Sequence, residues 1–472
     1  MKSRYYPTVL AVLVLVAAPL TLGTPLDDYV ATPDSSYRYS VLDTVSGPGY
    51  TGYIIEMTSQ TWRSADEVDR TLWKHWLTIV KPINAGGGKA LLWINGGSNR
   101  GRAPDSVDKM LVGVALGAGA VVADLKMVPN QPLTFPDGGR ARSEDGIIAY
   151  SFNKALLTGD NTWPLLLPMV KSAVRAMDTV QKHLGSLDSG AVNVTEFVVS
   201  GGSKRGWTTW LTAAVDKRVI AIIPAVIDVL NMDEQMKHHF AAYGFHSSAI
   251  ADYGEMNIFS RLDTAEGQAL IKFVDPYEYR DRYANIPKFL VNSTGDQFFL
   301  PDSAQFYFHD LPGEKHVRYV PNTDHGLGGS DAVESLMVYF KSVLTGAARP
   351  KFTWSVRNDG SIEIKTRTKP TAVKLWQATN PKTRDFRLEI IGPTWKDSPL
   401  SEQGAGTYIA KVAKPEKGWT AFMAELTFDS GGPIPYKFTT EVSVVPKTLP
   451  FADKLSLENN SRVDSALAAV GR

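Results

Sequence analysis

One run constrains this chain more than any other: Ser200-Gly201-Gly202-Ser203-Lys204-Arg205-Gly206-Trp207. It follows the apolar stretch Phe197-Val198-Val199, which reads as a buried strand, and Trp207, Trp210, Leu211 and Ala214 beyond it fall at helical spacing. A strand therefore passes through a glycine-flanked serine straight into a helix. Such a turn brings backbone segments close together, so the flanking positions must be small or tolerate unusual dihedrals. It leaves the serine hydroxyl exposed at a sheet edge, with the N–H groups that open the helix beside it. Those groups stabilise an oxyanion forming there. The usual pattern is G-x-S-x-G. Here Arg205 occupies the place of the second glycine, and Gly206 comes one residue late. The rest of the chain must therefore carry part of the argument.

A nucleophilic serine needs a histidine base and an acid that orients it, expected in the chain order Ser, Asp/Glu, His. The strand Lys288-Phe289-Leu290-Val291-Asn292 runs into Ser293-Thr294-Gly295-Asp296, placing Asp296 just past a strand end. A further strand, His316-Val317-Arg318-Tyr319-Val320, ends in Pro321-Asn322-Thr323-Asp324-His325-Gly326. Ser203, Asp296 and His325 thus stand at strand ends expected to share one sheet edge, the triad pattern of an α/β-hydrolase. Two rival acids stay open, Asp228 after the strand Val219–Ile223 and Asp302 after Pro301. His316 and His309 compete with His325, but neither sits on a loop at that edge. His238 and His239 are adjacent and read as flanking a helix surface. An oxyanion hole needs a second backbone donor. The strand Leu91–Ile94 and the loop Asn95-Gly96-Gly97-Ser98 offer the N–H of Gly97 or Ser98, to act with that of Lys204. Glu144 and Asp145 form an acidic pair that either caps a helix or anchors a substrate ammonium group.

Bulk properties exclude several alternatives. A formal charge of +1 leaves no electrostatic footprint for nucleic acid. The absence of cysteine removes thiol nucleophiles, thiolate metal sites and disulfides. The serine chemistry calls for no metal and no organic cofactor. Residues 1–23 read as a secretory signal peptide, with Lys2 and Arg4 preceding an apolar stretch from Val9 to Ala18. The mature chain is then expected to be secreted or periplasmic, without a membrane span.

At 472 residues two domains are expected. Strands alternate with helical stretches over residues 24–347, the α/β signature. The excursion at about 229–283 lies between two core strands, where a helical lid would be inserted. From Lys351 the pattern changes to alternating polar and apolar residues with a hairpin turn at Asn358-Asp359-Gly360. Residues 351–446 predict a small β-sandwich of immunoglobulin or fibronectin type, a surface for a protein or cell-surface partner. A polar tail, 447–472, follows.

The string Ser203-Lys204-Arg205-Gly206-Trp207-Thr208-Thr209-Trp210-Leu211, with Val226-Ile227-Asp228-Val229-Leu230-Asn231-Met232, resembles the PhoPQ-activated pathogenicity-related family. The likeness extends through Trp163-Pro164-Leu165 and Ala176-Met177-Asp178-Thr179-Val180 and covers most of residues 30–440. Arg205 is a feature of the family string. The resemblance implies an α/β-hydrolase-like fold similar to the catalytic part of dipeptidyl-peptidase-type serine peptidases. It thereby favours a peptide substrate over an ester. The family also includes a secreted signalling member, so a binding or signalling role on a hydrolase scaffold is the second reading.

Overall fold

The computed structural model describes residues 23–454. The expected signal segment, apart from Gly23, and the end of the polar tail lie outside the described residues. An N-terminal helix, α1 (Pro25–Ala31), precedes three antiparallel strands: β1 (Arg38–Gly47), β2 (Tyr50–Thr61) and β3 (Leu72–Pro82). Then strand and helix alternate as the pattern predicts: β4 (Lys89–Ile94), α2 (Lys109–Ala118) and β5 (Val121–Leu125). A two-residue ladder, β6 (Leu133–Thr134) with β7 (Ala141–Arg142), leads to α3 (Asp145–Thr158) and α4 (Leu166–Gly185). The remaining core elements are β8 (Glu196–Gly202), α5 (Lys204–Val215), β9 (Val219–Ala225), β10 (Lys288–Ser293), β11 (Lys315–Val320) and a later helix.

The strands pair in the order β1-β2-β3-β5-β4-β8-β9-β10-β11. From β5 to β11 every pairing is parallel, so these strands point their C-terminal ends the same way. Parallel strands need crossovers, and the helices that supply them cover both faces. Such strands read as near-continuous apolar runs, and β5, Val-Val-Ala-Asp-Leu, is buried throughout. On one face α3, α4 and α5 contribute Ile148, Met177 and Trp210 to the larger core cluster. On the other, Leu111 and Val114 of α2 pack with Leu336 and Phe340 from Ala332–Thr345. This is an α/β-hydrolase-like fold. Between β9 and β10 the chain forms α6 (Met232–Tyr243), α7 (Ala251–Glu255), α8 (Ala265–Val274) and short 3₁₀ turns, after which α9 (Ala332–Thr345) closes the alternation.

The C-terminal strands form two sheets, one of which continues the hydrolase sheet. They are β12 (Phe352–Val356), β13 (Ile362–Thr366), β14 (Ala372–Asn380), β15 (Lys396–Pro399), β16 (Thr407–Ala410), β17 (Trp419–Phe428), β18 (Tyr436–Thr439) and β19 (Ser443–Val445). β12, β13 and β16 form a small sheet of their own, but β18 pairs antiparallel with β11, Val317 opposite Thr439. β17, β14 and β15 follow in the same sheet. The physical reason is burial on both faces of β17. Ala421 and Met423 join one core cluster, while Phe422, Ala424, Leu426 and Phe428 join the other together with α9. The hydrolase sheet thus continues into the C-terminal strands and shares their core.

Candidate active site

Ser203 stands between β8 and α5 with φ 59° and ψ −129°, a conformation a non-glycine residue adopts only when its surroundings impose it. The surroundings are tight. A Cβ placed on Gly206 would lie 2.6 Å from Ile227 Cγ2 and 3.0 Å from the carbonyl oxygens of Ala225 and Gly201. A Cβ on Gly201 would lie 2.8 Å from the Arg205 carbonyl oxygen. The close-approach positions are therefore 201 and 206, which is why the elbow tolerates arginine at 205. We expect Gly206→Ala to cost about 1–3 kcal/mol, because two of the three nearest atoms belong to backbone that cannot yield. A melting temperature unchanged from the parent would refute this packing account.

Arg205 itself turns away from the serine. Its Nε donates to the Val128 carbonyl, and its guanidinium pairs with Glu144 at 2.7 Å. Lys204 Nζ lies 2.9 Å from Glu144 Oε2 and 2.9 Å from Asp145 Oδ2. Gln131 donates to the Glu144 carboxylate, and Tyr253 donates to Asp145 at 2.9 Å. Burial raises the Glu144 pKa, but Arg205 and Lys204 outweigh it and hold the carboxyl at about 2. Glu144 does occupy the N-cap position of α3, with φ 55°, yet its side chain makes no capping bond. The acidic pair is thus engaged by the two cations that follow the serine. Neither capping nor an open ammonium anchor describes it. The signal that could have found this network was Arg205 itself, a charge at a position reserved for glycine.

The strand ends bring the other residues to the same edge. Gly202 of β8 lies opposite Ala225 of β9, and Ser293 of β10 opposite Val320 of β11. Past these ends, His325 Nδ1 lies 2.8 and 3.0 Å from the two Asp296 oxygens. Asp296 is buried and also accepts from the N–H of Phe298 at 2.7 Å and of Phe299 at 3.3 Å. The His325 ring packs on Phe298, with centroids 4.3 Å apart. Among the described residues its buried Nε2 has no hydrogen-bond partner, the Ser203 hydroxyl included. With Nδ1 engaged by the carboxylate, Nε2 is the ring nitrogen available to a further partner.

The rival residues have other partners. Asp228 accepts from the hydroxyls of Tyr307 and Tyr319, and Asp302 is held by His238 at 3.0 Å and Arg384 at 2.5 Å. His316 is buried against the Pro350 carbonyl, and His309 meets Glu441. His238 and His239 are both buried, not on a surface; His239 Nε2 accepts from the Ser247 N–H.

Burial drives the Asp228 carboxyl up to about 7, despite its two tyrosine donors. Between its ordinary value near 3.8 and this one, the folded state holds a proton that the unfolded state has lost. Its contribution to stability is therefore present at low pH and falls as pH rises toward 7. Urea midpoints at pH 5 and pH 8 should differ less in Asp228→Asn than in the parent. Asp275, also raised to about 7 by burial, retains part of the slope. An unaltered pH dependence in Asp228→Asn would exclude Asp228 as a source.

The expected oxyanion donors lie on adjacent segments. Gly97 has φ +133°, a conformation suited to glycine, and a Cβ there would touch Met127 at 3.4 Å. Among the described residues, the N–H groups of Gly97 and Ser98 have no hydrogen-bond acceptor. Asn95, which opens this loop, donates to buried Asp124 at 3.3 Å and accepts from the Gly96 N–H at 2.8 Å. Among the described residues no group of three or more His, Asp or Glu could hold a metal ion, and no helix is long and apolar enough to cross a membrane.

The family model described as PhoPQ-activated pathogenicity-related protein matches residues 26–387. Autocrine proliferation repressor protein A of Dictyostelium discoideum is 38% identical, over 94% of this chain and 94% of its own length. Among solved structures, an acetyl xylan esterase from Paenibacillus sp. R4 is 15% identical with a TM-score of 0.47, covering 69% of this chain and 96% of that one. The acylaminoacyl peptidase of Pyrococcus horikoshii is 11% identical with a TM-score of 0.40, covering 65% of this chain and 49% of that one. The extent of the family match and of the 38% identity leaves one conclusion: the chain belongs to the PhoPQ-activated pathogenicity-related family.

Proposed function

We propose that this protein is a secreted serine hydrolase that cleaves an amide or ester bond. The observation that carries the reading is a serine at φ 59° opening a helix, at the sheet edge where Asp296 holds His325 Nδ1 at 2.8 Å. In this mechanism Ser203 Oγ attacks the carbonyl carbon. His325 Nε2 takes the serine proton and returns it to the leaving group, while Asp296 keeps the imidazole in the required tautomer and stabilises the imidazolium. The N–H of Lys204, with that of Gly97 or Ser98, receives the oxyanion, aided by the N-terminus of α5. The helical segment at about 229–283 acts as a lid. A peptide is preferred to an ester, following the resemblance to dipeptidyl-peptidase-type domains. Because Glu144 and Asp145 are already paired with Lys204 and Arg205, the peptide is recognised through its side chain rather than its amino terminus.

The test is labelling of the mature protein with a fluorophosphonate probe, with Ser203→Ala as control. Labelling that depends on Ser203 is expected. No labelling of well-folded protein overturns the reading in favour of the second one, a secreted signalling protein on a hydrolase scaffold. The Dictyostelium relative, named a proliferation repressor, motivates that second reading. A biological effect that survives Ser203→Ala would assign the effect to binding.

A further inference from the structure

A narrow pocket with a cavity volume of about 50 Å³ opens beside Ser203 and Lys204. Its walls come from four places: Phe152 on α3, Trp207 on α5, Met232 and Met236 on α6, and Leu262 before α8. Phe298 and Phe299 close the side toward the histidine. These two phenylalanines connect pocket and triad directly. Phe298 packs at a tilt against the His325 ring, and the backbone N–H groups of both phenylalanines donate to Asp296. The pocket therefore lies between the serine and the Asp–His pair, where the group attached to the reacting carbonyl must go.

The polar groups in the wall are already occupied. Lys204 Nζ is held by Glu144 and Asp145, and Tyr253 donates to Asp145. Lys204 is itself buried. A sugar hydroxyl or an ammonium group entering this space would lose water without gaining a partner. A hydrocarbon would lose nothing and gain burial. Two methionines in the helical segment add an adaptable surface that fits chains of different shape.

Taking Ser203 as the nucleophile argued above, we propose that this pocket holds an apolar acyl group, or an apolar residue on the carbonyl side of the scissile bond. The substrate is then an acyl ester or peptide with a hydrophobic acyl part of several carbons, and acetyl esters are poor substrates. Each methylene buried contributes about fourfold. A rise of roughly 250-fold in kcat/KM is thus expected from acetyl to hexanoyl esters of one leaving group, which differ by four methylenes.

The experiment measures kcat/KM of the mature full chain, and of Ser203→Ala, on p-nitrophenyl acetate, butyrate, hexanoate and octanoate. Ser203-dependent turnover rising steeply with chain length supports the inference. Met236→Trp, which shortens the pocket, should lower the hexanoyl-to-acetyl ratio at least tenfold, and Met236→Ala should move the optimum to a longer chain. Should the tryptophan variant fail to fold, the parent profile and the alanine variant still decide. Ser203-dependent turnover with a flat or acetyl-favouring profile overturns this inference and leaves the hydrolase reading standing. No Ser203-dependent turnover of any ester overturns this inference, and the hydrolase reading falls with it if the fluorophosphonate probe also fails to label Ser203.

Discussion

Ser203→Ala is expected to lower kcat by about 10⁶-fold on any substrate the protein turns over, while leaving the fold intact. The size follows from the chemistry. Without Oγ there is no acyl intermediate, so His325 and Asp296 have nothing to activate, and only binding and oxyanion stabilisation remain. The fold should survive, because the backbone at 203 is held by the Ser203 N–H bond to the Ala225 carbonyl at 2.9 Å and by the close packing of Gly201 and Gly206. Asp296→Asn should cost less, about 10⁴-fold, because an amide can donate to Nδ1 and favour the wrong tautomer. Active-site titration and kcat on an ester substrate measure both effects. More than about a hundredth of parental kcat in Ser203→Ala would place the nucleophile elsewhere.

Arg384→Ala should cost about 3–5 kcal/mol of stability, measured by urea denaturation at neutral pH. Arg384 and Asp302 are both only 4% exposed and meet at 2.5 Å. Burial alone would push the Asp302 carboxyl up, but Arg384 and His238 outweigh it and hold it well below the ordinary carboxylate range. Removing the guanidinium leaves a buried carboxylate with His238 Nε2 at 3.0 Å and Gln305 Nε2 at 3.1 Å as its neighbours. Because the carboxyl is depressed in the folded state, its stabilisation is present above the unfolded value near 3.8 and is lost as pH falls below it. The difference between parent and variant should therefore narrow on acidification. The pair also joins two parts of the chain, since Asp302 follows β10 and Arg384 follows β14. Lys437 makes a second link, pairing with Asp331 at 2.6 Å. One cooperative transition is expected in both proteins. An effect of less than about 1 kcal/mol would mean that this pair is no stronger than a surface contact.

Much of the candidate site was legible in the chain because it rests on local geometry. A strand, two glycines, a serine and an immediate helix can be joined in few ways, and parallel strands present their C-terminal loops on one edge. Those two facts are enough to place Ser203, Asp296 and His325 together at that edge, and to place Gly97, Ser98 and Lys204 near it. The alternation of strand and helix through residue 347 likewise marks the α/β class, because the period of apolar residues reports directly on secondary structure.

Tertiary structure decided what depends on which surfaces meet. Asp228, Asp296 and Asp302 all follow strands and look alike in sequence; only the packing of Tyr307, His325 and Arg384 against them separates their partners. Glu144 and Asp145 were open to capping or to substrate, until the fold brought Lys204 and Arg205 to within 2.9 Å. The C-terminal strands alternate as a free-standing sandwich would, and alternation does not reveal what covers each face. Burial of β17 on both faces, and the Val317–Thr439 pairing, join them to the hydrolase sheet. The apolar pocket has no sequence signature at all, since it is assembled from residues as far apart as 152 and 299. Local pattern determines how a segment folds and which edge it reaches; long-range packing and desolvation determine which charges pair and where a cavity is left.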